Sequence, residues 1–153
     1  MTARRIIIAG GFGLPDRTAS ALRAVGLAKL FAATGRVPLI LGKFEQLPDD
    51  SNAVYFANHF GIEMRDIRKP FAHTPPSDYI RSATSVEAIV KHLGAQQIDA
   101  IVLYNFPVRG IMAIRRLCKR LSIPLVLDLS EWYGWEGPKF FRNIIRVASS
   151  ETR

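Results

Sequence analysis

One hundred and fifty-three residues suit one domain with a sizeable core and leave no room for a second complete one. Hydrophobic residues at 48% and charged residues at 22% exclude a disordered chain, and a single cysteine, Cys118, excludes an internal disulfide and a cysteine-built zinc site. The formal charge of +8, from 21 Lys and Arg against 13 Asp and Glu, favours an anionic partner: nucleic acid, a phosphorylated ligand or anionic lipid.

Arg4 and Arg5 precede Ile6, Ile7 and Ile8 in the manner of a signal peptide, but Gly10, Gly11, Gly13 and Pro15 end the apolar run at once. No stretch approaches the ~20 apolar residues of a membrane helix. The expected setting is therefore the cytoplasm, consistent with the sparing use of cysteine.

Ile6 to Ala9 form a β-branched run without polar alternation, the pattern of a strand buried on both faces, and it is expected to stop at the glycines. From Thr18 to about Thr34, Leu22, Val25, Leu30 and Ala33 recur at helical spacing, and Gly35 follows as a C-terminal cap. Val37 to Leu41 gives a second apolar run, so residues 1–42 read as a βαβ unit with a glycine-rich turn after its first strand.

Gln46 to Asn52 reads as a polar loop, and one or two short strands are expected between Asn52 and Ile67. Pro70, Pro75 and Pro76 make Lys69 to Asp78 a loop. Thr84 and Glu87 have the capping-box spacing of a helix start, with Val86, Ile89, Val90 and Leu93 on one face and Gly94 at the end.

Ala100 to Leu103 is the next buried strand, and Ile111, Ile114, Leu117, Cys118 and Leu121 define the helix after it. Pro124 to Leu129 is expected to be another buried strand. Pro138 then opens a last helix with Phe141, Ile144, Ile145 and Ala148 inward. The alternation predicts an α/β fold, a three-layer sandwich with a mostly parallel sheet between helices.

Ligands of such sheets bind beyond the carboxyl ends of the strands, near the switch in strand order. Three segments fall there. Gly10 to Arg17 lets backbone approach a ligand and aims a helix N-terminus at it, with Arg17 near an anionic group; a tight turn alone explains the glycines equally well. Gly11-Phe12-Gly13 begins a dinucleotide fingerprint, but Asp16 stands where its third glycine belongs.

The second segment, Tyr104 to Gly110, puts Asn105 and Arg109 at a strand mouth. A simple turn into the next helix is the commoner use of Asn105 and Pro107. The third, Asp128 to Gly137, crowds Asp128, Glu131, Trp132, Tyr133 and Trp135 together, a mixture that stacks on ring ligands and accepts their hydroxyl protons, or else forms rim packing.

His59, His73 and His92 lack metal-ligand spacing, and neither a nucleophile elbow nor a P-loop occurs. Arg115, Arg116, Lys119 and Arg120 lie on one helix, and Lys139, Arg142 and Arg146 on the last. The last set fits an amphipathic helix drawn to anionic headgroups, although a solvated outer face is the simpler account. Without an aromatic-interleaved basic motif, nucleic-acid binding rests on charge alone, and no nucleic-acid partner is expected.

The order of motifs resembles a family. Gly10-Gly-Phe-Gly-Leu-Pro-Asp-Arg-Thr-Ala-Ser-Ala-Leu-Arg23, with Ala28-Lys29-Leu30 and Gly35, is similar to the opening of bacterial family 4-like glycosyltransferases of capsule and exopolysaccharide assembly. Leu103-Tyr-Asn-Phe-Pro107, Cys118-Lys119 and Leu125-Val-Leu-Asp-Leu-Ser-Glu-Trp-Tyr133 resemble later segments of that family, in the same order. The resemblance runs from about residue 4 to residue 147.

It implies the amino-terminal, acceptor-side half of a GT-B glycosyltransferase: one Rossmann-like domain over residues 1–153, with the donor domain that holds the nucleotide sugar absent. The chain alone is then expected to be inactive, with no cofactor and no metal of its own. Its expected acceptor is a glycan or a lipid-linked glycan in polysaccharide biosynthesis, and nucleotide sugar is bound only together with a donor domain.

Glu131 is the expected catalytic group, and Gly11, Phe12, Gly13, Arg17, Asn105, Trp132 and Tyr133 the expected substrate-binding residues, with Phe12 and the aromatics of the third segment exposed on the cleft. A non-catalytic module docking on another chain or a membrane is the alternative. Peripheral contact with an anionic membrane at its inner face is open in both readings.

Overall fold

The computed structural model describes residues 4–44, 56–68 and 82–129. They form a six-stranded sheet. The strands are β1 (Arg5–Leu14), β2 (Val37–Phe44), β3 (Phe56–His59), β4 (Ile62–Asp66), β5 (Ile98–Tyr104) and β6 (Leu125–Asp128), and the helices are α1 (Ala19–Ala33), α2 (Ser82–Leu93) and α3 (Val108–Leu121). The order across the sheet is β3-β4-β2-β1-β5-β6, parallel throughout except for the β3–β4 hairpin. The fold is the expected α/β, Rossmann-like arrangement, with the two short middle strands pairing on each other.

The unbroken apolar runs exist because the sheet has a core on each face, and alternate side chains enter alternate cores. Ile7 and Ala9 of β1, Leu39 and Leu41 of β2, and Ile101 and Leu103 of β5 pack with Val86, Ile89 and Val90 of α2 and Ile111, Ile114, Leu117 and Cys118 of α3. Ile6 and Ile8, Ile40 and Val102 enter the other core, against Ala21, Ala24, Val25 and Ala28 of α1. A one-residue slip of any central strand would exchange its two sets and misfit both cores.

Four expectations are corrected. β1 does not stop at the glycines but runs through them to Leu14. Its register against β2 shifts there, from Ala9↔Leu41 to Gly13↔Lys43, so four steps of β1 oppose two of β2. The bulge turns Phe12 into the α1 core, where it is fully buried.

Second, α1 faces inward with alanines, while Leu22 and Leu30 are 57% and 67% exposed. The helix lies mainly over β2 and β1, and small side chains let it approach them closely. Third, Thr84 and Glu87 do not start α2, which is already helical at Ser82; Gly94, with φ +83°, does follow its end.

Fourth, β6 is a partly exposed strand. Leu125 and Leu127 pack on the α2–α3 core, but Val126 on the opposite face is 49% exposed. The helix expected after Pro138 lies outside the described residues.

Candidate functional site at the carboxyl edge

β1, β2 and β4 are laid down on one side, and the chain then crosses to β5 and β6 on the other, so the strand order reverses between β1 and β5. That switch point lies between the end of β1, with Gly10 to Leu14, and the end of β5, with Tyr104 and Asn105. The first two segments read from the sequence therefore meet at one edge, and β6 brings Asp128 to the same edge, opposite Tyr104.

Pro15 to Arg17 form the turn into α1, where the Arg17 amide donates to the Gly13 carbonyl at 3.2 Å. Thr18 caps the helix: its Oγ1 accepts from the Ala21 amide at 3.1 Å and from the Gly13 amide at 3.4 Å. One hydroxyl thus ties the end of β1 to the first turn of α1. Gly11 and Arg17 are exposed and Gly13 is half-buried.

Phe12 is not on this surface, contrary to the expectation that it line the cleft. Its ring lies 5.7 Å from that of Tyr104, tilted by 48°. The neighbouring glycines have a packing reason. A Cβ on Gly10 would sit 2.5 Å from Phe12 Cε1 and 2.8 Å from the Tyr104 carbonyl oxygen, and one on Gly42 2.7 Å from Phe12 Cδ2. Gly10 and Gly42 make room for a buried ring, and only Gly11 and Gly13 remain for backbone approach by a ligand.

Asn105 takes a left-handed conformation, φ +42°, which asparagine tolerates better than most residues. Its amide donates to the Asp128 carbonyl at 3.1 Å, and its half-buried side chain stands at the strand mouth. Asn105 thus makes the turn that leads to Pro107, the N-cap residue of α3, and also occupies the switch point.

Arg23, one turn into α1, was not among the expected site residues. Its Nε and Nη2 donate to the two carboxylate oxygens of Asp128 at 3.0 and 2.9 Å, and its guanidinium carbon lies 6.0 Å from the Tyr104 ring centre. The hydrogen bond to Asp128 and the attraction of that carboxylate raise the Arg23 pKa above its ordinary value. Asp128 is therefore a paired anion that orients Arg23. Arg23 was quoted within the first motif and Asp128 within the third, but a bond across 105 positions has no local signal.

Glu131, Trp132 and Tyr133, with Trp135, lie outside the described residues. Among the described residues, no group of three or more His, Cys, Asp or Glu side chains is placed to hold a metal ion, and no helix is long and apolar enough to cross a membrane.

A scan against protein-family models finds no match, and a search of curated proteins finds none either. Among solved structures, the chain is similar to sucrose-phosphate synthase from Thermosynechococcus elongatus, with a TM-score of 0.63 over 97% of this chain at 12% identity. The likeness is one of fold, and this chain spans 40% of that solved chain. A glycosyltransferase-like α/β fold is thus shared along nearly the whole sequence.

Proposed function

We propose that this chain is the acceptor-binding half of a glycosyltransferase, whose complete enzyme transfers a sugar from a nucleotide sugar to a glycan or lipid-linked acceptor in polysaccharide biosynthesis. The observation that carries this reading is the Arg23–Asp128 pair at the switch point, which joins the first and third of the glycosyltransferase-like segments in one glycosyltransferase-like fold. Gly11, Gly13, Arg17 and Asn105 form the acceptor floor in this reading. Trp132 and Tyr133 supply stacking surface, and Glu131 is the acid–base group that acts on the acceptor hydroxyl.

The chemistry asked of these residues is modest. Exposed backbone at Gly11 offers polar groups to sugar hydroxyls, Gly13 leaves room for their approach, Asn105 adds a side-chain amide, and Arg17 meets an anionic acceptor group. A carboxylate at Glu131 takes the acceptor hydroxyl proton as the acceptor oxygen bonds to the anomeric carbon of the donor sugar and the bond from that carbon to the nucleotide's phosphate oxygen breaks, the nucleotide leaving with the electron pair. Donor binding is assigned to a second domain, so the isolated chain carries out no transfer.

Saturation-transfer NMR on the isolated chain tests the reading. Acidic and neutral oligosaccharides should receive saturation, nucleotide sugars should not, and Asn105→Ala and Arg17→Ala should weaken the glycan signal. Protein-dependent sugar transfer by the pure chain, or saturation of nucleotide sugars with none of any glycan, would overturn it.

A further inference from the structure

Arg23 meets Asp128 side-on, through one hydrogen at Nε and one at Nη2. A guanidinium has five N–H donors, so three are left: both hydrogens of Nη1 and the second of Nη2. Two of these run parallel along the far edge of the group, a fork that matches the two oxygens of a carboxylate. Among the described residues Arg23 has no hydrogen-bond acceptor other than Asp128, and its side chain is 56% exposed. An open fork therefore stands at the switch point of the sheet.

We propose that this second edge of Arg23 binds an oxyanion carried on the acceptor, a sugar carboxylate of the uronic-acid kind, and that Asp128 is the positioning residue that aims it. The inference rests on the acceptor reading given above and narrows it to acidic glycans. A free arginine side chain loses rotamer freedom when it binds, which weakens the contact. Here the two bonds to Asp128, with the guanidinium over the Tyr104 ring, fix the group beforehand.

The Arg23–Asp128 pair is neutral as a unit, so it selects by hydrogen-bond geometry rather than by field. Longer-range attraction comes from the net charge of +8 and from Arg17, exposed on the same edge. Arg68, also paired with a carboxylate at this edge, shows the contrast. Its Nε and Nη2 meet Asp66 and its Nη2 also donates to the Phe44 carbonyl at 2.6 Å, so its second fork is closed by the fold.

NMR titrations of the full chain at about 0.15 M salt test the proposal. The probes are hexagalacturonate, its fully methyl-esterified form, which has the same sugars without the charge, and inorganic phosphate. Wild type should bind the acid about tenfold more tightly than the ester, and phosphate at equal concentration should displace little of it. Arg23→Gln keeps a donor for Asp128 and should bring the acid close to the ester, with the ester unchanged. Arg23→Lys should lose most of the preference too, because one ammonium lacks the second parallel donor. Asp128→Asn should lower the preference, although removal of a negative charge would by itself raise it.

Equal binding of acid and ester by wild type, a preference that survives Arg23→Gln or Arg23→Lys, or one that rises in Asp128→Asn would overturn the proposal and leave the acceptor reading standing. Displacement of the acid by equimolar phosphate would make the bare oxyanion the ligand and overturn the assignment to a glycan. Failure of every oligosaccharide, acidic or neutral, to bind would remove the acceptor reading and this inference together.

Discussion

A buried phenyl ring beside a glycine recurs at the carboxyl edge: Phe12 with Gly10 and Gly42, and Phe106 with Gly110. The second case is the cleaner, because a Cβ on Gly110 would meet the Phe106 ring alone, at 2.5 Å from Cε1 and 2.8 Å from Cδ1. Phe106 is 5% exposed and has little room to move. Gly110→Ala should therefore destabilise by about 1–3 kcal/mol despite the better helix propensity of alanine, as overpacked cores do. Combined with Phe106→Leu, which withdraws the ring, the loss should be smaller than the sum of the two single losses. Denaturant midpoints of the four proteins decide this, and strict additivity would show that the ring is not the obstacle. Cys118 offers a second residue-scale check. Burial raises its thiol pKa to about 11, so it is neutral near pH 8, and it should react with a thiol reagent in the native protein far more slowly than in denaturant.

At the scale of elements, the strands were legible because Ile6 to Ala9, Val37 to Leu41 and Ala100 to Leu103 are short apolar runs bounded by breakers, a pattern that a two-sided sheet requires. α3 was equally legible, since its apolar and cationic residues separate cleanly around the helix. α1 misled, because leucines weigh more than alanines in a hydrophobic pattern while close packing on the sheet favours alanine. Gly10 to Gly13 misled for a related reason: glycine marks a turn and room for a ring with the same letter, and the bulge that chooses between them depends on Leu41 and Lys43 of another strand. The Arg23–Asp128 pair was hidden by distance along the chain. Thr18 is the exception, a residue of the first motif whose role as a cap is local. Thr18→Ala should cost about 1 kcal/mol and Thr18→Ser much less, read as shifts of the denaturation midpoint, because only the first removes the acceptor for the Ala21 amide.

Over the whole molecule, the sheet sorts its charges to its two edges. At the carboxyl edge, Asp66 is buried at 1% exposure and accepts from the Phe44 amide at 2.9 Å, from the Arg68 amide at 2.8 Å and from the Arg68 guanidinium at 2.7 Å, which fastens the end of β2 to the end of β4. Toward the amino edge, Asp99 pairs with Arg4 and Arg36, and Glu63 with Arg5 and Arg65, each Glu63 contact at 2.7 Å. Burial alone would raise the Glu63 pKa, but the hydrogen bonds from Arg5 and Arg65, with their charges, outweigh it and hold the carboxyl below its ordinary 4.5. The folded state therefore binds fewer protons than the unfolded state near that pH, so the contribution of Glu63 is complete above 4.5 and is lost as pH falls through the lowered folded value. A chain with 21 Lys and Arg against 13 acids also gains self-repulsion as its carboxylates protonate, and that share of acid destabilisation belongs to every variant. The difference between two proteins isolates the pair: Glu63→Gln should be less stable than wild type at neutral pH, and the two stability curves should converge as pH falls below 4.5. Urea midpoints measured across that range check it, and a gap that stays constant as pH falls would show that packing around residue 63, not its charge, carries the stabilisation.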